Sequence, residues 1–165
     1  KEIVEDIIPL VEMKYNTYLA DSSRENIKAT RDHRGFSGYS RGGVCTWSIF
    51  HHDFEYFKWY APMSCHCRAD KPRSQPVSQE EVTAFLTAPL KANPDLPFYL
   101  FASSGNPDAE EMKVQMKYIP KLDGFSYGND PAKNNIYFAI SDYYHTDFLV
   151  PYYYWNSLKL LFKGV

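Results

Sequence analysis

The hydrophobic and polar positions along the chain follow two periodicities. Short apolar runs, such as residues 98–102, are typical of strands that are buried on both faces of a parallel sheet. Between them, apolar residues recur every three or four positions, as in helices that cover a sheet on one side. This alternation predicts one α/β domain over residues 1–165, with a mostly parallel sheet flanked by helices.

The N-terminal segment has the pattern of an amphipathic helix over residues 1–15, which Pro9 should kink or restart. A polar connection over residues 16–30 should separate this helix from the rest of the domain. The apolar face that we predict for the helix consists of Ile3, Ile7, Leu10 and Val11.

The remaining segments alternate between predicted strands and predicted helices. Strands are expected at 33–39, 55–63, 98–102 and 135–140. Helices are expected from 41 to about 52, at 109–118 and at 151–162. A further helix should begin at the capping box at Ser78 and stop at Pro89. Irregular segments are expected at 64–77, 103–108, 124–134 and 141–150.

A short motif lies at the first strand-to-helix junction. Residues 38–42, Gly38-Tyr39-Ser40-Arg41-Gly42, spell G-x-S-x-G, the nucleophile elbow in which a strand turns sharply into a helix. Its two glycines should let the strand and the helix approach closely, because neither carries a Cβ. The motif predicts Ser40 as a nucleophile and the backbone N–H of Arg41 as one donor to the oxyanion.

A serine nucleophile needs a histidine base and a carboxylate that orients the histidine. In α/β-hydrolases these follow the serine in the order acid, then histidine, each in a loop after a strand. Of the five histidines, only His145 follows a plausible acid, and it lies in the loop after the last predicted strand. Asp108, which ends the loop directly after the strand over 98–102, is the predicted acid. The competing carboxylates are Asp123, Asp130 and Asp142.

These motifs together resemble the bacterial feruloyl esterases of the esterase D-like group, the first carbohydrate esterase family, which are often joined to xylanases. Residues 31–43, which end in the elbow and are followed by Trp47, resemble that family's nucleophile segment. Residues 60–64, residues 101–108 and the stretch from His145 into an aromatic C-terminal helix are similar to its later segments. Arg41 stands where the family usually has methionine.

The resemblance implies a serine esterase that releases ferulic or related hydroxycinnamic acids from plant arabinoxylan through an acyl-enzyme formed by Ser40, His145 and Asp108. It requires no metal and no cofactor. We place Tyr39, Trp47 and Met63 at the substrate. The resemblance also implies secretion, and a parent protein that carries a xylanase or a carbohydrate-binding module.

A complete α/β-hydrolase has several strands before the elbow, and the second oxyanion donor comes from that part. We therefore expect this chain to be the C-terminal part of the domain, with its N-terminal strands missing. The nucleophile strand would then expose an apolar edge, and the chain should associate with the missing part or with itself.

Composition narrows the possible partners. The 18 basic and 20 acidic side chains nearly balance, so nothing indicates nucleic acid or an anionic membrane surface. No apolar run approaches the roughly 20 residues of a membrane span.

Three alternatives to a feruloyl esterase stay open at this point. One is an acetyl xylan esterase or another small-ester hydrolase with the same triad. A second is a non-catalytic relative that binds polysaccharide through its many aromatic side chains. The third is a zinc module, and its candidate ligands are Cys45, Cys65, His66, Cys67 and the run over residues 51–53.

Overall fold

The computed structural model describes residues 2–105 and 109–163. Its centre is a four-stranded sheet in which every neighbouring pair is parallel and the strands follow chain order. All carboxyl ends therefore meet at one edge of the sheet, and the predicted α/β architecture is confirmed. The strands are β1 (Gly35–Tyr39), β2 (Trp59–Met63), β3 (Tyr99–Gly105) and β4 (Ile136–Ser141).

Helices connect the strands and precede the first of them. A π-helical turn, Ile3–Ile7, runs directly into α1 (Ile8–Glu12). The further helices are α2 (Arg24–Ala29), α3 (Arg41–His52), α4 (Gln79–Ala92), α5 (Glu110–Met116) and α6 (Val150–Leu158). Short 3-10 turns lie at Arg31–His33, Phe54–Tyr56, Ile119–Lys121 and Asp147–Leu149. None of the helices in the described part of the chain is long and apolar enough to cross a membrane.

The two faces of the sheet bury separate apolar clusters, because successive side chains of a strand point to opposite sides. On one face, Tyr60 and Leu100 pack with Phe50 of α3, Leu86 of α4 and Met112 of α5. The opposite cluster contains Trp59, Met63, Phe101 and Tyr153 of α6, together with Ala61, Tyr99, Leu149 and Leu161. The nucleophile segment lies between these two clusters.

The predicted apolar face of the N-terminal helix is wrong for three of its four residues, since only Ile3 packs against the core. Val4 and Ile8 are the buried residues, whereas Ile7, Leu10 and Val11 are 44–71% exposed. The cause is the π-helical turn, which takes up more residues per turn than an α-helix and so displaces the 3.6-residue pattern. The restart expected near Pro9 is present, because α1 begins at Ile8.

The connection predicted over residues 16–30 contains α2. Ser23 caps this helix, since its hydroxyl accepts from the N–H of Asn26 at 3.3 Å. The capping serine was visible in the sequence, but the short helix buries only Ile27, which is too little to produce a periodic pattern.

Pro89 does not stop α4, which continues to Ala92. A proline inside a helix leaves the carbonyl four residues earlier without its usual donor. Here that carbonyl belongs to Phe85, and the Nδ1–H of His51 on α3 donates to it at 2.7 Å. The His51 ring also stacks on the Phe85 ring with 3.9 Å between centroids. A neighbouring helix thus supplies the hydrogen bond that Pro89 removes.

Several other boundaries differ from the sequence-based ones; β1, for example, begins at Gly35. The second predicted strand begins at Trp59, after a 3-10 turn over Phe54–Tyr56. β3 runs on to Gly105, through the start of the predicted loop. The closing helix ends at Leu158.

Candidate active site

Ser40 lies between the end of β1 and the start of α3, as the motif predicts. Its backbone has φ 56° and ψ −111°, a conformation that costs a non-glycine residue about 1–3 kcal/mol. Two hydrogen bonds hold it there: its N–H donates to the carbonyl of Met63 at 2.8 Å, and its carbonyl accepts from the N–H of Val44 at 3.1 Å. The turn is therefore anchored to β2 and to the first turn of α3.

The glycines of the elbow have different roles. A Cβ on Gly38 would overlap the backbone of Gly42, so the steric expectation is confirmed there. A Cβ on Gly42 would meet no atom within 4 Å, so the same expectation is wrong for Gly42. Gly43 is the second crowded position, because its Cβ would lie 2.6 Å from the carbonyl oxygen of Met63. Only Gly38 and Gly43 allow the close approach.

Arg41 is the first residue of α3, and its side chain is exposed. The first N–H groups of a helix have no partner within the helix, and the helix dipole favours negative charge beside them. An oxyanion formed beside Ser40 would meet this end of α3.

His145 lies in the loop between β4 and α6, at the same edge of the sheet as Ser40. The loop is held at two points: the hydroxyls of Ser141 and Tyr153 are 3.0 Å apart, and Gly105 lies against the carbonyl of Tyr143 without room for a side chain. The exposed imidazole of His145 contacts Tyr39, with 4.7 Å between ring centroids and 37° between ring planes. The structure thus places His145 against the residue that precedes Ser40.

The predicted acid, Asp108, lies outside the described residues. Its neighbours in the chain are the end of β3 at Gly105 and the buried Ala109 before α5. Asp123 and Asp130 precede β4 and belong to the loops at the opposite edge of the sheet, where Asp130 pairs with Lys133 at 3.0 Å. This placement favours Asp108 over those two.

No protein-family model matches the chain. Two solved structures match nearly all of it. The feruloyl esterase module of Clostridium thermocellum, a serine-to-alanine variant in complex with sinapinate, gives a TM-score of 0.89 at 25% identity over 99% of this chain and 58% of that chain. A structure described as FAE gives a TM-score of 0.87 at 27% identity over 98% of this chain and 57% of that chain. The chain therefore has the α/β-hydrolase fold of these feruloyl esterases.

A curated relative is also similar over most of the chain. Endo-1,4-beta-xylanase Y of Acetivibrio thermocellus is 30% identical over 144 residues, which are 86% of this chain and 13% of that protein. The chain therefore spans under three-fifths of these solved structures and a small part of the xylanase.

Within this fold, the three residues that we placed at the substrate lie in different environments. Trp47 is 2% exposed in the cluster beneath α3, and Met63 is fully buried in the cluster beneath α6. Their burial speaks against substrate contact, and we leave both out of the proposed site. Tyr39 is half-buried and reaches His145.

The first two arginines of the nucleophile segment, Arg31 and Arg34, are structural. Arg31 is 4% exposed and donates to the carbonyls of Pro97 at 2.7 Å and Phe57 at 2.6 Å. Arg34 is also buried and donates to carbonyls and to Glu12. Both tie loops at the amino edge of the sheet, away from Ser40. The sequence placed them beside the elbow without indicating this separate role.

The candidate zinc ligands do not form a metal site in the part of the chain that the structure describes, where no group of three or more His, Cys, Asp or Glu residues could hold an ion. Burial raises the pKa of the Cys67 thiol to about 12, and it also raises the pKa of Cys65. Zinc binds thiolates, and these thiols are held in the protonated form.

A cavity of about 700 Å³ lies at the amino ends of β3 and β4. Phe98, Asp123 and Asn135 line it. It is therefore at the edge of the sheet opposite Ser40 and His145, and it is not part of the candidate site.

Proposed function

We propose that this chain carries the catalytic residues of a serine carboxylic ester hydrolase that releases ferulic or related hydroxycinnamic acids from arabinoxylan. One observation carries the proposal. Ser40 occupies a strained turn at the carboxyl edge of the sheet, and the loop after β4 brings His145 against the adjacent Tyr39. The candidate nucleophile and the candidate base of a triad are thus near each other at one edge of the sheet.

The reaction proceeds in two steps of acyl transfer. The hydroxyl of Ser40 attacks the ester carbonyl while His145 takes its proton, and the N–H of Arg41 donates to the oxyanion. The intermediate collapses, the sugar oxygen leaves with the proton from His145, and the acyl group stays on Ser40. Water then attacks the acyl-enzyme, with His145 again as base, and releases the acid. Asp108 orients the imidazole throughout, and the mechanism needs no metal or organic cofactor.

The substrate class rests on the similar proteins. The Clostridium thermocellum module was solved with sinapinate, and the curated relative is a xylanase. These names support a hydroxycinnamate ester of arabinoxylan as the substrate here. They also support secretion, and a parent protein in which a xylanase or a carbohydrate-binding module accompanies the esterase. The second oxyanion donor would come from the N-terminal part of the same domain.

The first test is labelling with a serine-directed fluorophosphonate, on this chain and on a longer form of the protein that includes the N-terminal part. Ser40→Ala should abolish labelling. Ser64→Ala is the matched control, because Ser64 also has a positive φ and follows the adjacent strand. It should keep the label. Labelling that survives Ser40→Ala in both forms would overturn the proposed nucleophile.

Hydrolysis assays then identify the acyl group. We expect turnover of methyl ferulate to exceed turnover of an acetyl ester of xylose, and both to require Ser40 and His145. Faster release of acetate would replace the feruloyl esterase assignment with that of an acetyl xylan esterase.

A further inference from the structure

We propose that Tyr39 is a positioning residue that holds the imidazole of His145 beside Ser40. The inference rests on the proposed function, because it assigns Tyr39 a role in the same site. It also replaces the substrate contact that the sequence suggested for Tyr39. The observation behind it is the contact between the two rings, whose centroids are 4.7 Å apart.

Tyr39 can hold a neighbour in place because it is itself fixed on two sides. Its backbone is the last residue of β1 and lies opposite Met63 of β2 in the parallel ladder. Its side chain packs against the apolar cluster beneath α6. One side of the ring therefore rests on the core, and the ring also meets His145.

The loop that carries His145 is less firmly held than the strand that carries Tyr39. Residues 142–144, directly before His145, are exposed. The two tethers, between Ser141 and Tyr153 and between Gly105 and Tyr143, hold the loop backbone. Neither of these tethers involves the imidazole of His145. The Tyr39 ring limits which rotamers the imidazole can adopt.

This role predicts where the kinetic loss falls. Proton transfer in the transition state depends on the orientation of the imidazole, whereas ground-state binding of the ester does not. Loss of the ring should therefore lower kcat and leave KM nearly unchanged. A tyrosine that contacted substrate would behave differently, since its removal would raise KM.

A double-mutant cycle on methyl ferulate separates these roles. Tyr39→Leu should lower kcat about tenfold with KM within about twofold, and Tyr39→Phe, which keeps the ring, should stay within about threefold of the parent. In a His145→Ala background, Tyr39→Leu should add less than about a twofold loss, because a residue that acts through His145 has nothing left to position. Losses that multiply in the double variant, or a raised KM at constant kcat, would overturn the proposal.

A measurement that needs no activity tests the contact directly. NMR of the carbon-bound imidazole protons should show His145 signals, assigned by their loss in His145→Ala, that move in Tyr39→Leu and stay in Tyr39→Phe. The other four histidines should keep their shifts in both variants. If Tyr39→Leu fails to fold, Tyr39→Met takes its place.

The two proposals fail in different ways. If Ser40→Ala keeps the label, the proposed function fails, while the NMR result still decides whether Tyr39 holds the imidazole. If Ser40 and His145 prove essential but the His145 signals do not respond to loss of the Tyr39 ring, the positioning role alone is wrong.

Discussion

At the scale of single residues, the elbow depends on where a Cβ can be placed. Gly38 faces the backbone of Gly42, while Gly42 itself faces open space. The G-x-S-x-G pattern presents the two glycines as equivalent, because a sequence gives no direction for the missing Cβ. In the structure, a Cβ would clash at Gly38 and would meet no atom at Gly42.

Gly38→Ala and Gly42→Ala should therefore change stability in opposite directions. The first forces the strand away from the helix, and overpacking of this kind should lower the free energy of unfolding by about 1–3 kcal/mol. The second places alanine in the first turn of α3 without a clash, and it should raise that free energy by up to about 1 kcal/mol. Urea denaturation of the two variants beside the parent protein measures both changes. Equal destabilisation by the two substitutions would contradict this reading of the turn.

At the scale of elements, local signals in the sequence predicted the structure well wherever an element is determined by its own residues. The capping box at Ser78 starts α4, and the strand, turn and helix at Ser40 are all present. The failures have non-local or irregular causes. The π-helical turn displaced the face of the first helix, and α4 passes Pro89 because a donor arrives from another helix.

The candidate site likewise contains residues that local signals predicted and residues whose position depends on packing. Ser40 and His145 were predicted from the motif and from chain order, and the structure brings His145 against the neighbour of Ser40. The burial of Trp47 and Met63 depends on how helices pack on the sheet. Their residue types alone, a tryptophan and a methionine near the elbow, fit a substrate pocket equally well.

The hydrogen bond between His51 and the carbonyl of Phe85 allows a test of how a contact between two helices stabilises α4. His51→Ala leaves a carbonyl inside α4 without a donor, and it should lower the free energy of unfolding by about 1–3 kcal/mol. His52→Ala is the matched control, because the His52 side chain is 59% exposed and pairs with Asp70 at the surface. It should cost less than about 0.5 kcal/mol.

A second substitution tests whether the unpaired carbonyl of Phe85 causes this loss of stability. Pro89→Ala restores the N–H that Phe85 lacks, so it should recover stability in the His51→Ala background by more than it does in the parent protein. Thermal or urea denaturation of the four proteins gives the coupling. Purely additive effects of the two substitutions would separate His51 from Pro89 and attribute the loss to stacking on the Phe85 ring.

At the scale of the whole molecule, β1 is the first strand of the sheet, and among the described residues only β2 pairs with it. An edge strand with unpaired backbone groups is a template for another strand. Three apolar side chains near the N-terminus, Ile7, Leu10 and Val11, are exposed as well. The prediction that this chain associates through its β1 edge, with itself or with the N-terminal part of the domain, follows from these surfaces.

Light scattering after size exclusion, over a range of concentrations, checks the prediction. The chain alone should form dimers or larger species, and a longer form that contains the N-terminal part should be monomeric. Ser37→Lys places a charge on β1 and should shift the chain towards monomer, because lysine on an edge strand opposes pairing. Ser22→Lys adds the same charge at an exposed loop position and should leave association unchanged. A chain that stays monomeric at all concentrations and unfolds cooperatively would show that the β1 edge needs no partner.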